Sequence, residues 1–478
     1  MSGTQDRVDR GSGVPLYRQV AAVLRERIEN GVFRPGERIP TEYELCDEFG
    51  VSRISIRQAL SELVYEGLLS RRQGSGTYVQ PELGLSARTI KVVVTEDPWV
   101  SPLEEAVASF NRDHPSAPLH LHVELLGRPQ LRRNILAAVG RGEAPDLALV
   151  DWPWVIEFAD LHFLHALEDL DAKWVDEFRK DLFPVFTGEE HAPLFGIQPE
   201  ANVSVLWYRR DWLRKKGVTP PSTWQELVDA CIRLQRTANP SIVFCGGTIA
   251  GETATYQLLP FLWAAGARLL RDQDVGLGER AIVALQFLVD LVHVHHVAPA
   301  EVAYFPWDQP AKMFAEGQVP FAVGGSYEKP LIQQLAGWDE ETFEQRVGYM
   351  PIPAPAGSTP TTLTGGMAFV VFRQSLHPRQ AFEVVKRIAS PVIMRAFCSR
   401  SGRCPTRVSA AKSLHPVDDR FSREIAKLLD NACPRPGIAE YSKVSEQFQR
   451  MVENAITQRL TSRQAVDRAR EIIRIIIS

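Results

Sequence analysis

The stretch PTEYELCDEFGVSRISIRQALSELVYEGLL, Pro40–Leu69, contains the signals that decide how the N-terminal part of the chain folds. Thr41 is followed three residues later by Glu44, a spacing that predicts a capping box and therefore the start of a helix. Gly50 allows a short turn, and Ser52 can then cap a second helix. Two helices joined by a short glycine-containing turn form the helix-turn-helix arrangement.

The segments on either side extend this motif. Before it, residues 15–33 place Val20, Leu24 and Ile28 on one stripe, which predicts a further helix. After it, two short strands flank Gln73-Gly74-Ser75-Gly76 and form a wing.

The first residues of the third predicted helix are the candidate DNA contacts. Arg53, Ser55 and Arg57 lie on its outward side, and a recognition helix presents these positions to base edges and phosphates in the major groove. The wing adds Arg71 and Arg72 beside glycines that let the backbone approach DNA. A small helical domain with a solvated arginine face would show the same charges.

Net charge does not by itself indicate nucleic-acid binding. The 478 residues have a formal net charge of −4, and residues 1–80 contain eleven Arg and eleven Asp plus Glu. Any affinity for DNA must therefore depend on where the charges lie.

Residues 14–80 resemble the winged-helix domain of GntR-family transcription regulators. The similarity is carried by PGERIPTEYEL, FGVSRISIRQALSELVYEGLL and RQGSGTYV. It implies DNA contacts from ten positions: Arg38, Thr41, Glu42, Ser52, Arg53, Ser55, Arg57, Gln73, Gly74 and Gly76. Ile54 departs from the family pattern because a polar residue is common there.

From Ile90 onwards, apolar strands alternate with helices. IKVVVTE (90–96) and PDLALVDW (145–152) predict strands, and Ser101-Pro102-Leu103-Glu104 predicts a capping box that opens a helix. Strands that alternate with helices indicate a parallel sheet with right-handed crossovers. A second set of helices and strands follows, including a predicted helix over 378–400 and two C-terminal helices.

The part from about residue 90 to the C-terminus resembles the family 1 solute-binding proteins of sugar importers, which include maltose-binding protein. The resemblance is carried by APDLALVDWPWVIEFA (144–159), LFGIQPEANVSVLWYRRDWLRKKGVTPPSTWQELVDAC (194–231), MFAEGQVPFAVGGSYE (313–328) and LTGGMAFVV (363–371). Members of this family close two lobes on a ligand by hinge motion.

The resemblance implies eleven ligand-binding positions: Asp151, Trp152, Trp154, Asn202, Tyr256, Trp263, Tyr327, Gly365, Gly366, Arg403 and Tyr441. Such a set suits a sugar, because sugar rings stack on aromatic side chains while hydroxyls need fixed polar partners. Several have structural alternatives. Trp263 can be a core residue, Arg403 can pair with a carboxylate, the two glycines can form a turn, and at most one tryptophan beside Pro153 is expected to face the cleft.

The predicted fold class is therefore multidomain. It comprises an α+β winged helix-turn-helix over residues 1–80, a linker over 81–89, and a two-lobed α/β clamshell of the type II periplasmic-binding-protein class over 90–478. We expect the first lobe to contain about 90–200 and 350–408, and the second lobe about 204–346 and 409–478.

Other signals are weak. No secretory signal or membrane span is predicted, and six cysteines without zinc spacing indicate a reducing compartment, so we expect a cytoplasmic protein. The histidines at 293, 295 and 296, the GGTIAG loop (246–251) and the paired carboxylates do not complete a metal, phosphate or glycosidase motif. We therefore expect no enzyme activity, no cofactor and no metal.

These observations predict a ligand-responsive transcription regulator, by default a repressor of carbohydrate uptake or catabolism genes. Its expected partners are double-stranded operator DNA, a mono- or oligosaccharide effector, and a second copy of the chain, with no membrane partner. Three alternatives remain open: a transport-type binding protein with a vestigial DNA-binding domain, a carbohydrate-processing enzyme fused to a regulator, and a regulator that senses a polyamine or polyol phosphate.

Overall fold

The computed structural model describes residues 8, 14–29, 31–65, 68–72, 76–80, 88–115, 117–187, 192–236, 240–271, 274–416 and 419–478. Two predicted DNA contacts, Gln73 and Gly74, and most of the predicted linker lie outside these residues. No helix in the described ranges is long and apolar enough to cross a membrane.

The N-terminal unit is a winged helix-turn-helix. It comprises α1 (Leu16–Glu29), α2 (Glu42–Phe49), α3 (Arg53–Tyr65), β1 (Leu69–Arg72) and β2 (Gly76–Val79). The predicted capping box is present, because the Thr41 backbone N–H donates to the Glu44 carboxylate at 2.7 Å and the Glu44 N–H donates to the Thr41 hydroxyl at 3.4 Å. Gly50 ends α2 with φ of 63°.

The hydrophobic core of this unit joins α1 to α3. Val20 and Leu24 of α1 are fully buried, as are Ile56 and Leu63 of α3, and all four belong to one cluster. The helix that supports the recognition helix is therefore α1.

The first lobe contains a four-stranded sheet in the order β13 (Met367–Val371), β5 (Leu147–Asp151), β3 (Arg88–Val94) and β4 (Leu119–Leu125). Strands β3 and β4 are parallel, β3 and β5 are parallel, and β13 is antiparallel to β5. Its elements are β3 (Arg88–Val94), α4 (Val100–Asp113), β4 (Leu119–Leu125), α5 (Arg128–Arg141), β5 (Leu147–Asp151), α6 (Trp152–Asp160), α7 (Glu168–Lys180), β13 (Met367–Val371), α15 (Pro378–Ile388) and α16 (Pro391–Ser401).

The second lobe is built on β6 (Glu200–Arg209). This is the central strand of a sheet in the order β15 (Ala432–Cys433), β12 (Thr362–Gly365), β6, β10 (Phe321–Gly325) and β7 (Ile242–Val243). Two further strands, β11 (Val347–Met350) and β14 (Cys404–Pro405), also pair with β6. The first half of this lobe comprises α8 (Arg210–Lys216), α9 (Trp224–Leu234), β7 (Ile242–Val243), α10 (Glu252–Ala264), β8 (Leu270–Arg271), β9 (Asp274–Val275), α11 (Glu279–His293), α12 (Gln309–Ala315) and β10 (Phe321–Gly325).

The rest of the second lobe comprises α13 (Lys329–Ala336), α14 (Glu340–Arg346), β11 (Val347–Met350), β12 (Thr362–Gly365), β14 (Cys404–Pro405), α17 (Val408–Lys412), α18 (Arg420–Leu429), β15 (Ala432–Cys433), α19 (Tyr441–Ile456) and α20 (Ser462–Ile477). The C-terminal helices thus cover this lobe, with residues of both α19 and α20 in its main core.

The chain passes between the lobes at different residues from those expected. We predicted that 350–408 belongs to the first lobe, but β12 and β14 both pair with β6 in the second. The second crossing is at Gly366, because Gly365 pairs with Asn202 whereas Met367 already pairs with Asp151. Strands β12 and β14 pair with the first four residues of β6, which are distant from them in the sequence. Local sequence patterns do not predict such long-range pairing.

Side-chain contacts join the winged helix to the first lobe. The Arg18 guanidinium of α1 donates to the Gly142 carbonyl, where α5 ends, and Glu26 of α1 lies 3.9 Å from Arg379 of α15. Both partners in the clamshell belong to the first lobe.

Candidate nucleic-acid interface and ligand cleft

The exposed face of the recognition helix is organised around one carboxylate. Glu42 lies 2.7 Å from the Nε of Arg53 and 3.5 Å from the Nε of Arg57. The Arg53 guanidinium also lies over the Tyr43 ring, 4.8 Å from its centroid. Both arginines remain largely exposed, so they are held in place while their outer edges stay available to a polyanion.

The capping residues of α3 lie at the same surface. The Ser55 backbone N–H donates to the Ser52 hydroxyl at 3.3 Å, so α3 begins as predicted. Ile54, which departs from the family pattern, is 75% exposed beside them. An exposed aliphatic side chain there can contact a thymine methyl group rather than donate a hydrogen bond.

The wing is tied to the loop before α2. Arg38 forms an isolated antiparallel bridge with Tyr78, and the Ile39 N–H donates to the Thr77 carbonyl at 3.0 Å. Gly76 has φ of 121°, and a Cβ there would lie 2.7 Å from the Arg38 Nε. The positive φ favours glycine at this position, and any larger residue would have to displace the Arg38 side chain from the wing.

The cleft between the lobes brings together six of the predicted ligand residues. They are Asp151, Asn202, Tyr256, Tyr327, Gly365 and Gly366, and they line the same cavity as Glu252, Thr253, Met367 and Arg435. The Tyr256 hydroxyl donates to the Asn202 Oδ1 at 2.8 Å, and the Tyr256 and Tyr327 ring centroids are 5.8 Å apart.

An ion-pair network crosses this cleft. Arg435 of the second lobe donates through Nη2 to Asp151 of the first lobe at 2.9 Å, and through Nη1 to Glu252 of the second lobe at 2.9 Å. Glu252 also accepts from the Tyr441 hydroxyl at 2.6 Å and from the Ser445 hydroxyl at 2.5 Å. Burial raises the pKa of Glu252, against the opposing effect of Arg435.

Sequence reasoning did not identify Glu252, Thr253, Met367 or Arg435. The one local signal was Cys433-Pro434-Arg435-Pro436-Gly437, in which two prolines hold a single charged residue in a stiff segment. Its position opposite Asp151 depends on the pairing of β15 with β12 and is set by the tertiary fold.

Five predicted positions lie elsewhere or contribute indirectly. Trp152 and Trp154 pack against the cores of the first lobe, and Trp263 is only 6% exposed within the core of the second. Tyr441 contacts the cleft through Glu252. Arg403 lies at the third crossing, where it pairs with Glu96 at 2.6 Å and Glu200 at 3.4 Å.

The Arg403 network ties the crossings together. Glu200 lies at the first crossing and its Oε1 accepts from the Met367 N–H of the second crossing at 3.0 Å. Because Glu96 belongs to the first lobe, the network connects all three crossings to that lobe.

In this state the cleft is closed. The cavity measures about 40 Å³, which is room for a water molecule or two. Ligand pockets usually measure ~300 Å³ or more. The lobes also touch at the rim, where the Ser442 hydroxyl donates to Glu157 at 3.0 Å. A sugar can enter only if the lobes separate.

No group of three or more His, Cys, Asp or Glu side chains within the described ranges is placed to hold a metal ion. Of the histidines at 293–296, His293 contacts the C-terminal helix α19, since its Nε2 lies 2.7 Å from the Ile456 carbonyl oxygen.

Comparison with protein families matches two parts of the chain. Residues 94–394, well over half of the chain, match the bacterial extracellular solute-binding protein family, and residues 16–79 match the bacterial regulatory proteins of the gntR family.

Related regulators share part of the chain. The HTH-type transcriptional repressor NagR of Bacillus subtilis is 28% identical over 218 residues, which are 42% of this chain and 85% of NagR. The mannosyl-D-glycerate transport/metabolism system repressor MngR of Escherichia coli is 54% identical over 68 residues, which are 14% of this chain and 28% of MngR. For MngR, therefore, the match covers less than a third of the relative.

Solved structures match the clamshell. An ABC transporter solute-binding protein of Thermotoga lettingae bound to α-D-tagatose has a TM-score of 0.72 at 24% identity, covering 82% of this chain and all of that one. Maltose-bound MalE3 of T. maritima has a TM-score of 0.70 with the same identity and coverage. At this identity the likeness establishes the fold. The chain thus belongs to the bacterial extracellular solute-binding protein family and has a GntR-family DNA-binding domain at its N-terminus.

Proposed function

We propose that this protein is a cytoplasmic, ligand-responsive transcription repressor of carbohydrate uptake or catabolism genes. The observation that carries the proposal is the presence, in one chain, of a winged helix with two exposed arginines and a two-lobed cleft that can close. The names of NagR and MngR, both repressors, support the direction of regulation.

The DNA-binding half acts on double-stranded operator DNA. The proposed contacts are those of the recognition helix and wing, with Arg53 and Arg57 reaching base edges or phosphates. A single winged helix makes too few contacts for specific affinity, so we propose that two copies bind a pseudo-palindromic operator.

The clamshell half senses a mono- or oligosaccharide. Tyr256 and Tyr327 offer aromatic surface, and Asp151, Asn202 and Glu252 offer hydrogen-bonding groups, which together match the mixed character of a sugar. The two structural neighbours described above hold tagatose and maltose, in agreement with this ligand class.

Coupling between the two sites is reciprocal. If the sugar weakens operator binding, the operator weakens sugar binding by the same factor, typically equivalent to ~1–3 kcal/mol. Reciprocity gives the proposal a quantitative check that independent binding of two ligands would not satisfy.

The test begins with a thermal-shift screen of the full-length protein against mono- and oligosaccharides, with polyamines and polyol phosphates as comparison compounds. A ligand at a hundred times its dissociation constant adds about 2.7 kcal/mol to the stability of the state it binds. Operator sequences selected from random DNA are then titrated with and without the stabilising compound. We expect the saccharide to release the DNA.

The variant Tyr327→Ala should lose the sugar response and keep operator binding, because Tyr327 lines the cleft and lies in the second lobe, away from the winged helix. Tyr304→Ala is the control, since Tyr304 is 49% exposed and does not line the cleft. A sugar response that survives Tyr327→Ala contradicts the proposed site.

The alternative hypotheses about function predict different outcomes of this test. A transport-type binding protein would bind sugar but select no DNA sequence, and an enzyme would convert the bound sugar into product. If only a polyamine or a polyol phosphate stabilises the protein, the protein is still a ligand-responsive regulator, but its ligand is that compound and not a saccharide.

A further inference from the structure

The Arg435 guanidinium bridges the two lobes at the closed cleft. Its two terminal nitrogens bind Asp151 and Glu252 at 2.9 Å each, and the Arg435 side chain is only 4% exposed. The remaining cavity of about 40 Å³ is bounded by the same residues. In the closed state the Arg435 side chain therefore takes up space in the cleft that a bound ligand would need.

Opening the lobes breaks one of the two ion pairs of Arg435. Asp151 belongs to the first lobe, whereas Arg435 and Glu252 both belong to the second, so separation removes Arg435 from Asp151 only. The Asp151 carboxylate makes no capping hydrogen bond to α6. A ligand held between the lobes must therefore give hydrogen-bond donors to Asp151.

The charges of the cleft favour a cation. Among the lining residues in the described ranges, two are acidic and one, Arg435, is basic. Behind them, Arg403 is shared by two carboxylates, Glu96 and Glu200. The helices that begin at the cleft, α6 and α10, have Asp151 and Glu252 at their positive ends, so an anionic ligand would compete with these carboxylates.

We propose that the ligand carries a cationic ammonium group, as an amino sugar does, and that this group replaces the Arg435 guanidinium at Asp151. The inference rests on the proposed function and narrows its ligand class. Arg435 stays with Glu252 when the lobes separate, so a neutral ligand would leave the partly buried Asp151 carboxylate without a counterion. An ammonium group restores the pairing.

A second feature points to a ligand with hydroxyl groups beside the cation. Asn202 is 7% exposed and faces the cavity, and its Oδ1 accepts from Tyr256. Its amide nitrogen has no hydrogen-bond partner in the described part of the chain. That donor fits an acceptor oxygen of the ligand, and the Tyr256 and Tyr327 rings lie close enough to contact either a sugar ring or an ammonium group.

The test compares matched compounds by isothermal titration calorimetry on the full-length protein. D-glucosamine is paired with D-glucose and D-galactosamine with D-galactose, so that each pair differs by one ammonium group. N-acetyl-D-glucosamine removes the charge, spermidine supplies ammonium groups without a sugar ring, and D-glucose 6-phosphate supplies an anion. We expect each amino sugar to bind about tenfold or more tightly than its partner.

Variants separate the roles of the three charged residues. Asp151→Asn should lower amino-sugar affinity about tenfold or more. Arg435→Gln should raise it, because the internal competitor is removed. The control is Arg450→Gln, because Arg450 is a surface residue of α19 that pairs with Glu446. This variant should bind amino sugars and neutral sugars with the same affinities as wild type. Thermal unfolding of each variant verifies that it is folded.

Each other outcome has a defined meaning. Equal binding of the two members of every pair, or loss of all binding in folded Arg435→Gln, overturns the inference and leaves a sensor of neutral sugars. Binding of spermidine without any sugar keeps the cationic site but overturns the saccharide of the proposed function. Binding of none of these compounds by wild type and Arg435→Gln rejects the inference.

Discussion

Arg53 and Arg57 are two residues whose positions are set by a third, Glu42. One carboxylate contacts both guanidinium groups, and each arginine side chain is still more than half exposed. DNA phosphates can therefore reach the arginines without unfolding any part of the winged helix. The pairing is itself a surface interaction of low energy, so its role is to orient the arginines.

We expect Arg53→Ala or Arg57→Ala to weaken operator binding by ~1–3 kcal/mol, the usual value of a bidentate base contact. Loss of a phosphate contact would instead lower the salt dependence of binding by about one unit of slope, so titrations at several salt concentrations distinguish the two. Sugar binding should not change. Arg450→Ala, on the far lobe, is the control for charge loss, and loss of both activities in Arg53→Ala would indicate misfolding.

Glu328 is a buried carboxyl group whose charge state depends on pH. Burial raises its pKa to about 8, although Trp207 and the Gly325 N–H donate to it at 3.0 and 3.1 Å. In the unfolded chain the pKa returns to about 4.5. Between these values the folded state binds a proton that the unfolded state has released.

Stability should therefore fall as pH rises from about 4.5 to about 8, by up to ~1.4 kcal/mol per pH unit from this group. Glu328→Gln retains an acceptor for Trp207 and has no charge to bury. We expect the melting temperature of the variant, relative to wild type, to increase between pH 5.5 and pH 8. A constant difference would mean that Glu328 is ionised in the folded protein.

At the scale of elements, local sequence signals predicted where some helices begin, but they did not predict contacts between residues far apart in the sequence. The predicted capping box at Thr41 is present, because it depends on residues within one turn. The structure shows two more of these boxes, at Thr223 and Thr461. The predicted box at Ser101 is absent. There α4 begins at Val100, after Trp99, which is buried against Phe397 with ring centroids 3.8 Å apart.

The predicted helix over 378–400 is two helices in the structure. Pro391 begins the second, and the Ser390 hydroxyl caps it by accepting from the Ile393 N–H at 3.5 Å. Proline has no N–H to continue the first helix, so this break was readable from the sequence. Arg435 was not, because its partners Asp151 and Glu252 lie more than 180 residues away. Local patterns thus reveal element ends but not the partners across a cleft.

A substitution in the wing tests the contact between β2 and the loop that carries Arg38. Gly76→Ala places a Cβ 2.7 Å from the Arg38 Nε at φ of 121°, so we expect the Arg38 side chain to be displaced from the wing and operator affinity to fall. Backbone strain of this kind costs ~1–3 kcal/mol. Gly36→Ala is the matched control, because Gly36 also has positive φ, 80°, but has no atom within 4 Å of the added Cβ.

Operator affinity and thermal unfolding are measured for both variants. Equal losses of operator affinity would show that backbone strain alone is responsible and that the Arg38 contact does not position the wing. A larger loss for Gly76→Ala supports the contact.

At the scale of the whole molecule, side-chain contacts connect the cleft rim to the recognition helix. Ser442 of the second lobe donates to Glu157 only when the lobes are closed, and Glu157 pairs with Arg132 of α5. The far end of α5 is Gly142, whose carbonyl accepts from Arg18 of α1. Because α1 shares its core with α3, lobe movement has a physical route to the DNA-binding surface.

Arg18→Ala tests this route without touching either binding site. We expect the variant to bind operator and sugar with unchanged affinity when each is measured alone, since Arg18 contacts neither the cleft nor the exposed face of α3. The factor by which sugar changes operator affinity should fall towards one, and the reciprocal effect of operator on sugar affinity should fall by the same factor. Arg141→Ala is the control, because Arg141 lies in the last turn of the same helix and pairs with Glu143 at the surface. Unchanged coupling in Arg18→Ala would place the signal elsewhere, and lost operator binding without sugar would show that Arg18 supports the fold of the winged helix.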